Sequence, residues 1–374
     1  MKPDQILGQI YQSALIAGNH SLIQDSRLIE HINRVCQCTS NRSGVRFLMS
    51  CLLAKLHRPE IDPRKPYTKI RGRDSFSGRK YDEKYVRPFI DKHQLPANKS
   101  TAFLTPAFRT NEILTIDQDL ICKKSEVELY RSVLTLLEII AENQISAEIL
   151  LTEIVRLLLK IRDEELHRIN SLLSSLKRSQ GSLPLSTEAI VKLITQHLTC
   201  KNSSRLPVLI VAAAYQVATD HLKEKALSLK PHNAADSQTK SLGDIEITLQ
   251  DESFVVTAYE MKKRAITESD IDSAISKILK AKLKIQNYIF ITTEPIDQNI
   301  IDYAATWYEK TDGVEIAVLD CLNFLRHFLH LFHRIRQNYL DAYQELVLNE
   351  PNSAVSQALK EAFLALRQAA ESDD

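Results

Sequence analysis

The chain has 374 residues, 44% of them apolar and 25% charged, with a net charge of +1, eight glycines and twelve prolines. It is long enough for two domains and has the composition of a globular protein, which excludes collagen-like and low-complexity chains. With so little net charge, no whole-molecule field draws it to nucleic acid or membrane, and any polyanion must be met by a local patch.

In chain order, PDQILGQIYQSALIAG carries apolar residues three and four apart, and SGVRFLMSCLLAKLH is apolar on most faces. Residues 4–57 are therefore expected to be helical. No apolar run reaches the length of a membrane span, and no apolar signal core opens the chain, so a cytoplasmic protein is expected. The six cysteines (Cys36, Cys38, Cys51, Cys122, Cys200, Cys321) are scattered and form no Cys-x-x-Cys pair, which predicts free, mostly buried thiols. His31 near Cys36 and Cys38 is a weak hint of zinc. Residues 58–111 are broken by prolines, rich in Tyr and Phe and without helical periodicity, so they read as a long functional loop region.

Helical spacing returns over 125–180, where Ser125 is the expected cap and the later residues form a long helix or hairpin, with a dimer surface as one use for it. Gln180 to Ser186 is a break, and Thr187-Glu188 opens the next helix. RLPVLIVAAAYQVATDHLKEKALSLK reads as one buried helix ending before Pro231. After it, DIEITL, SFVVTAYEMKK, NYIFITT and VEIAVLD read as strands. Helices lie between them, one capped at Thr267 or Ser269, and long helices follow to the C-terminus. The expected fold is α/β in the α+β sense, a mainly helical N-terminal half followed by a small mixed sheet with flanking helices. The expected domains are 1–186, carrying the inserted basic region 58–111, and 187–374.

The run GDIEITLQDESFVVTAYEMKKR places acids where a buried strand would carry apolar side chains. Strand alternation puts Asp244, Glu246 and Thr248 on one face, and Glu260 and Lys262 on one face with Phe254, Val256 and Ala258. The hairpin register decides whether they meet. A two-residue turn at Asp251-Glu252 sets Asp244 opposite Tyr259, whereas a three-residue turn, Asp251 to Ser253, or a bulge sets it opposite Glu260. Two carboxylates that close are tolerated when a divalent cation lies between them, and oxygen ligands suit Mg²⁺. Lys262 could then orient a water or stabilise a phosphoryl transition state, which points to phosphodiester hydrolysis. The plainer alternative is an exposed hairpin whose charges are simply solvated.

Asp244 followed by Glu260-Met261-Lys262 on a hairpin, then a helix and a strand, resembles the PD-(D/E)xK nuclease superfamily. GDIEITLQDESFVVTAYEMKKRAITESDIDSAISKI resembles SacI-type type II restriction endonucleases, as does NKSTAFLTPAFR more faintly. The resemblance implies a restriction-endonuclease-like core in a bacterial cytoplasmic enzyme. It also implies Mg²⁺-dependent cleavage of double-stranded DNA at a short site, a homodimer, and a cognate DNA methyltransferase in the same system without implied contact. Carried over, Asp244 and Glu260 are the metal ligands and Lys262 the catalytic lysine; Gly243 stands where the motif has proline. Lys263 is a rival to Lys262, but alternation points it away from Glu260. The further acid that the superfamily often takes from the preceding helix is sought at Glu224 or Asp220.

Residues 61–110 hold twelve basic residues against five acids, a local excess of seven in a chain of net +1. Such a patch releases counterions from a phosphate backbone, and Arg and acid side chains also read base edges. Arg71, Arg73, Asp74, Ser77, Arg79 and Lys80 are the expected DNA contacts, against the alternative of a solvated basic loop. His327, His330 and His333 fan too widely around a helix to share one metal. A structure-specific repair nuclease and a non-catalytic DNA-binding protein with a nuclease fold are the rival functions.

Overall fold

The computed structural model describes residues 1–39, 41–70, 72–97, 115–116, 127–178, 184–229, 241–252, 254–281, 285–352 and 354–372. The chain forms two compact units, Met1–His167 and Arg168–Asp374.

In the first unit, α1 (Pro3–Ala17), α2 (Ser26–Gln37) and α3 (Ser43–His57) form where the apolar spacing predicts them. Every residue of α3 from Ser43 to Ala54 is buried. That helix is the centre of a core shared with α6 (Val127–Ala141) and the first half of α7 (Ala147–Arg178), which is one continuous helix and not a hairpin. Asp25 caps α2 by accepting from the Arg27 and Leu28 N–H groups. The Ser125 cap, Cys122 and the stretch NKSTAFLTPAFR lie outside the described residues.

Residues 58–111 are not all loop. A helical run crosses 78–93 as α4 (Gly78–Tyr81), a π-helical turn (Asp82–Val86) and α5 (Arg87–His93). Its buried residues Tyr81, Asp82, Val86, Phe89 and Ile90 recur at three, four and one positions, a helical stripe that the interspersed charges and Pro88 obscure in the sequence. Pro88 stands in the first turn of α5, where a missing N–H is tolerated, and the backbone widens into π turns just before it. Asp82 faces inward and is met by Arg46 of α3: both side chains are fully buried, with Nη2 to Oδ2 at 2.7 Å and Nε donating to Oδ1.

In the second unit, α8 (Thr187–Thr199) is capped by the Ser186 hydroxyl and is followed by the buried α9 (Leu206–Leu222). The helix expected to run on toward Pro231 stops earlier. Lys223 turns into the left-handed region at φ 58° and Glu224–Ala226 becomes β1. That strand exists because β2 (Ile245–Leu249) offers it a ladder, Glu224 facing Leu249 and Ala226 facing Ile247, a signal absent from three residues of local sequence. β3 (Val255–Lys262) pairs antiparallel with β2, and β4 (Asn287–Thr292) and β5 (Glu315–Asp320) continue in parallel, giving the order β1-β2-β3-β4-β5.

Helices α8, α9, α13 (Cys321–Leu331), α14 (Arg336–Asn349) and α15 (Gln357–Ser372) pack with Ile245, Ile247, Val256, Tyr259 and Ile291 on one face of the sheet. On the other face, α10 (Glu268–Ala281) and α11 (Gln298–Ala305) pack with Ala258, Tyr288, Phe290, Ile316 and Val318. A short α12 (Trp307–Lys310) precedes β5. Of the two candidate caps for α10, Thr267 is the one used: its N–H and hydroxyl donate to Asp270 Oδ2 at 3.0 and 2.8 Å.

Among the described residues no helix is long and apolar enough to cross a membrane, and the described cysteines are free thiols. His31 bonds Ser132 Oγ at 3.1 Å, Cys36 is buried, and no described group of three His, Cys, Asp or Glu residues could hold a metal. The zinc hint therefore fails.

Removing one partner of the buried Arg46–Asp82 pair strands a charge in the first core. Arg46→Ala is expected to lower unfolding free energy by about 3–5 kcal/mol in urea denaturation, with Arg46→Met/Asp82→Leu recovering most of it. A loss below about 1 kcal/mol in Arg46→Ala would remove the pair as an anchor.

Candidate active site

The β2–β3 ladder sets the site. Ile245 faces Tyr259 and the Asp244 N–H donates to the Tyr259 carbonyl at 2.7 Å, so Asp244 comes directly opposite Glu260. A bulge makes this register possible: Ile247 pairs with Thr257 but Thr248 pairs with Val255, leaving Val256 as the extra residue. The same bulge corrects the face assignment made from simple alternation. Val256 packs into the helical core beside Tyr259, while Ala258 packs on the opposite face. The three-residue turn cannot be traced, because Ser253 lies outside the described residues.

Gly243 is the second constraint on Asp244. A Cβ at this position would stand 2.4 Å from the Tyr259 carbonyl oxygen, so β2 can approach β3 here only because residue 243 has no side chain. The entering turn is tied down by Ser241 Oγ donating to the Gly243 carbonyl (2.7 Å) and the Leu242 N–H donating to Glu246 Oε1 (2.9 Å).

The Met261 N–H donates to Asp244 Oδ2 at 2.7 Å, fixing that carboxylate and leaving Oδ1 without a hydrogen bond among the described residues. Burial pushes the Asp244 carboxyl above the ordinary carboxylate range. The Met261 N–H opposes the shift, the like charge of Glu260 adds to it, and Arg205 and Lys262 pull it back. Lys262 Nζ donates to Glu260 Oε1 at 2.7 Å. Lys263 is directed elsewhere, with Nζ at 2.6 Å from Ser203 Oγ.

Two neighbours escaped the sequence reading. Tyr288 of β4, fully buried, donates its hydroxyl to the Leu242 carbonyl (2.9 Å) and lies 3.4 Å from Glu260 Oε2. One phenol thus touches both the turn leading to Asp244 and the Glu260 carboxylate. Arg205, just before α9, is held by Glu350 at 2.9 Å and its charge is felt at Asp244. Nothing in NYIFITT or SSRLPV marks either residue, because the link runs through pairing of distant segments. The only sequence signal was an apolar strand interrupted by a tyrosine.

The expected further acid does not join the cluster. Glu224 faces Leu249, five residues and about 17 Å along β2 from Asp244, and on the other face of the sheet. There it meets the hydroxyl of Tyr215, which itself lies 2.9 Å from the Tyr259 hydroxyl. Asp220 accepts from Gln250 at the same far end. His330 lies 3.7 Å from Glu188 and forms no metal cluster with His327 and His333.

In the first unit, Arg71 lies outside the described residues. Arg73 is exposed, Asp74 pairs with Lys65 at 2.6 Å, and Ser77 caps α4 by accepting from the Lys80 N–H. Arg79 pairs loosely with Glu83 at 3.5 Å, and Lys80 is exposed.

Residues 182–293 match the family model of the SacI restriction endonuclease C-terminal domain. This segment, under a third of the chain, is similar to the SacI-type restriction endonucleases. The matched segment runs from before α8 through β4 and contains Asp244, Glu260, Lys262, Arg205 and Tyr288. The match supports a restriction-type DNA endonuclease, a hydrolase with DNA as substrate. Residues 1–181 and 294–374 lie outside the match. No curated protein matches the chain.

Two predictions follow from this geometry. Gly243→Ala forces β2 off the Tyr259 carbonyl and is expected to cut plasmid cleavage by about 10²-fold, the scale of a 1 Å misplacement; an undiminished rate would show that the approach is not needed. Because the folded protein holds the Asp244 carboxyl above its unfolded value, ionising it opposes folding. That penalty is complete above the folded value and absent below the unfolded one. Asp244→Asn is therefore expected to melt higher than the parent at pH 8 without divalent cation, with the gain shrinking as pH falls through the carboxylate range. Equal melting temperatures at pH 8 would contradict this.

Proposed function

We propose that the chain is a Mg²⁺-dependent type II restriction endonuclease of the PD-(D/E)xK kind, hydrolysing phosphodiester bonds of double-stranded DNA at a short specific site. The observation that carries this reading is Asp244 set directly across the ladder from Glu260, with the Lys262 ammonium at the same end of β3.

The donor set fits Mg²⁺, which is held by hard oxygens and commonly by only one or two carboxylates with water completing the shell. Asp244 keeps one oxygen uncommitted while the other is fixed by main chain, and Glu260 faces it. Asp244 and Glu260 would hold the ion. When bound, it would neutralise charge on the scissile phosphate and make a water more acidic.

The chain's own groups do the positioning. The Met261 N–H fixes the orientation of Asp244, and Tyr288 restricts the swing of Glu260. The Lys262 ammonium, within reach of Glu260, orients the attacking water and offsets negative charge building on the phosphate. Arg73, Asp74, Ser77, Arg79 and Lys80, with Arg71, supply the DNA contacts in this reading. A palindromic site would be cut by a two-fold homodimer, which sedimentation of the DNA complex would weigh directly. A cognate methyltransferase would protect the host site.

The test is digestion of a plasmid of known sequence. The parent protein is expected to give discrete fragments with Mg²⁺ and none with EDTA. Glu260→Ala and Lys262→Ala are each expected to abolish cutting while keeping the parent's circular dichroism and melting curve. Full activity in either variant would remove the assigned roles.

A further inference from the structure

The run 78–93 separates its charges in a way the sequence does not display. All five acids between residues 61 and 93 are already paired: Asp62 with Arg64, Asp74 with Lys65, Glu83 with Arg79, Asp91 with Arg87, and Asp82 with the buried Arg46. Lys80, Lys84 and Lys92 are exposed and have no acidic partner among the described residues. Lys84 lies over the Tyr85 ring at 5.4 Å. Four, and then eight, residues separate them on the face opposite the buried Tyr81, Val86, Phe89 and Ile90. At helical rise the row extends about 18 Å. The run that carries it is fixed from beneath by the Arg46–Asp82 pair, so the ammonium groups project from a rigid base.

We propose that Lys80, Lys84 and Lys92 form a phosphate-contacting face that grips the DNA backbone and reads no bases. The proposal rests on the reading of DNA as substrate, and it gives a task to a segment outside the SacI-type match. The chemistry favours phosphate over base edges. An ammonium is a point charge on a flexible stem, whereas bidentate base reading uses the planar fork of arginine. The arginines of this run, Arg79 and Arg87, are the ones engaged with acids.

The test measures binding of the full-length protein to a short duplex without divalent cation across a salt series. Each phosphate contact adds about 0.9 to the slope of log affinity against log salt. Lys80→Gln/Lys84→Gln/Lys92→Gln is expected to flatten the slope by about 2.7, each single variant by about 0.9. Lys2→Gln/Lys160→Gln/Lys192→Gln, the same charge change at exposed sites elsewhere on the chain, is expected to leave it in place. Mg²⁺ digests by the row variant at low salt should keep the parent's cut positions. If the triple variant fails to fold, the single variants carry the measurement. An unchanged slope in a protein that binds and cuts DNA overturns the row alone, and altered cut positions overturn its indifference to bases. A parent protein that binds no duplex overturns the nuclease reading beneath it as well.

Discussion

The register between β2 and β3 is the constraint on which the candidate site depends. One residue of slip would send Asp244 to the face of Tyr259 and into the helical core, away from Glu260. Three features hold the register: the bulge at Val256, the close approach at Gly243, and the Met261 N–H bonded to Asp244. The first two are main-chain features, so backbone geometry sets Asp244 opposite Glu260, and the third then fixes the Asp244 carboxylate through a backbone N–H. Burial, with a smaller addition from the like charge of Glu260, raises the Asp244 carboxyl, and the Lys262 ammonium lies where it compensates Glu260.

Around this core the second unit is built from two kinds of packing. Helices α8, α9 and α13–α15 bury one side of the sheet, and α10 and α11 bury the other. Glu260 lies within reach of buried Tyr288, and Asp244 lies under the charge of Arg205. Glu350, which holds Arg205, ends α14, beyond the matched SacI-type segment. The C-terminal helices therefore reach the site's electrostatics through one ion pair. Lys360 strengthens the link by donating to the Leu348 carbonyl at the same helix end.

Much of this was legible in the residues, and the parts that were not have identifiable causes. Apolar spacing located α1–α3, α8 and α9, and β2 to β5, because burial imposes period on sequence wherever one face is covered. The acids in β2 and β3 stood out because they broke that period. The bulge could not be read, since two turn lengths fitted the same letters and only pairing decides between them. β1 was missed because Glu-Lys-Ala has no strand character of its own and becomes a strand only through its neighbour. The run 78–93 was hidden by Pro88 and by charges on its outer side, although its aromatic positions keep a helical beat. Arg205 and Tyr288 needed three dimensions, because each is brought to the site from far along the chain.

The sheet's outer strands bear on how copies of this protein could associate. β1 has only three residues, and β5 begins at Glu315 and ends at Asp320, both acidic. A short border on one side and a charged one on the other discourage a foreign strand from adding to the ladder. Self-association by ribbon extension along these two borders is thereby disfavoured.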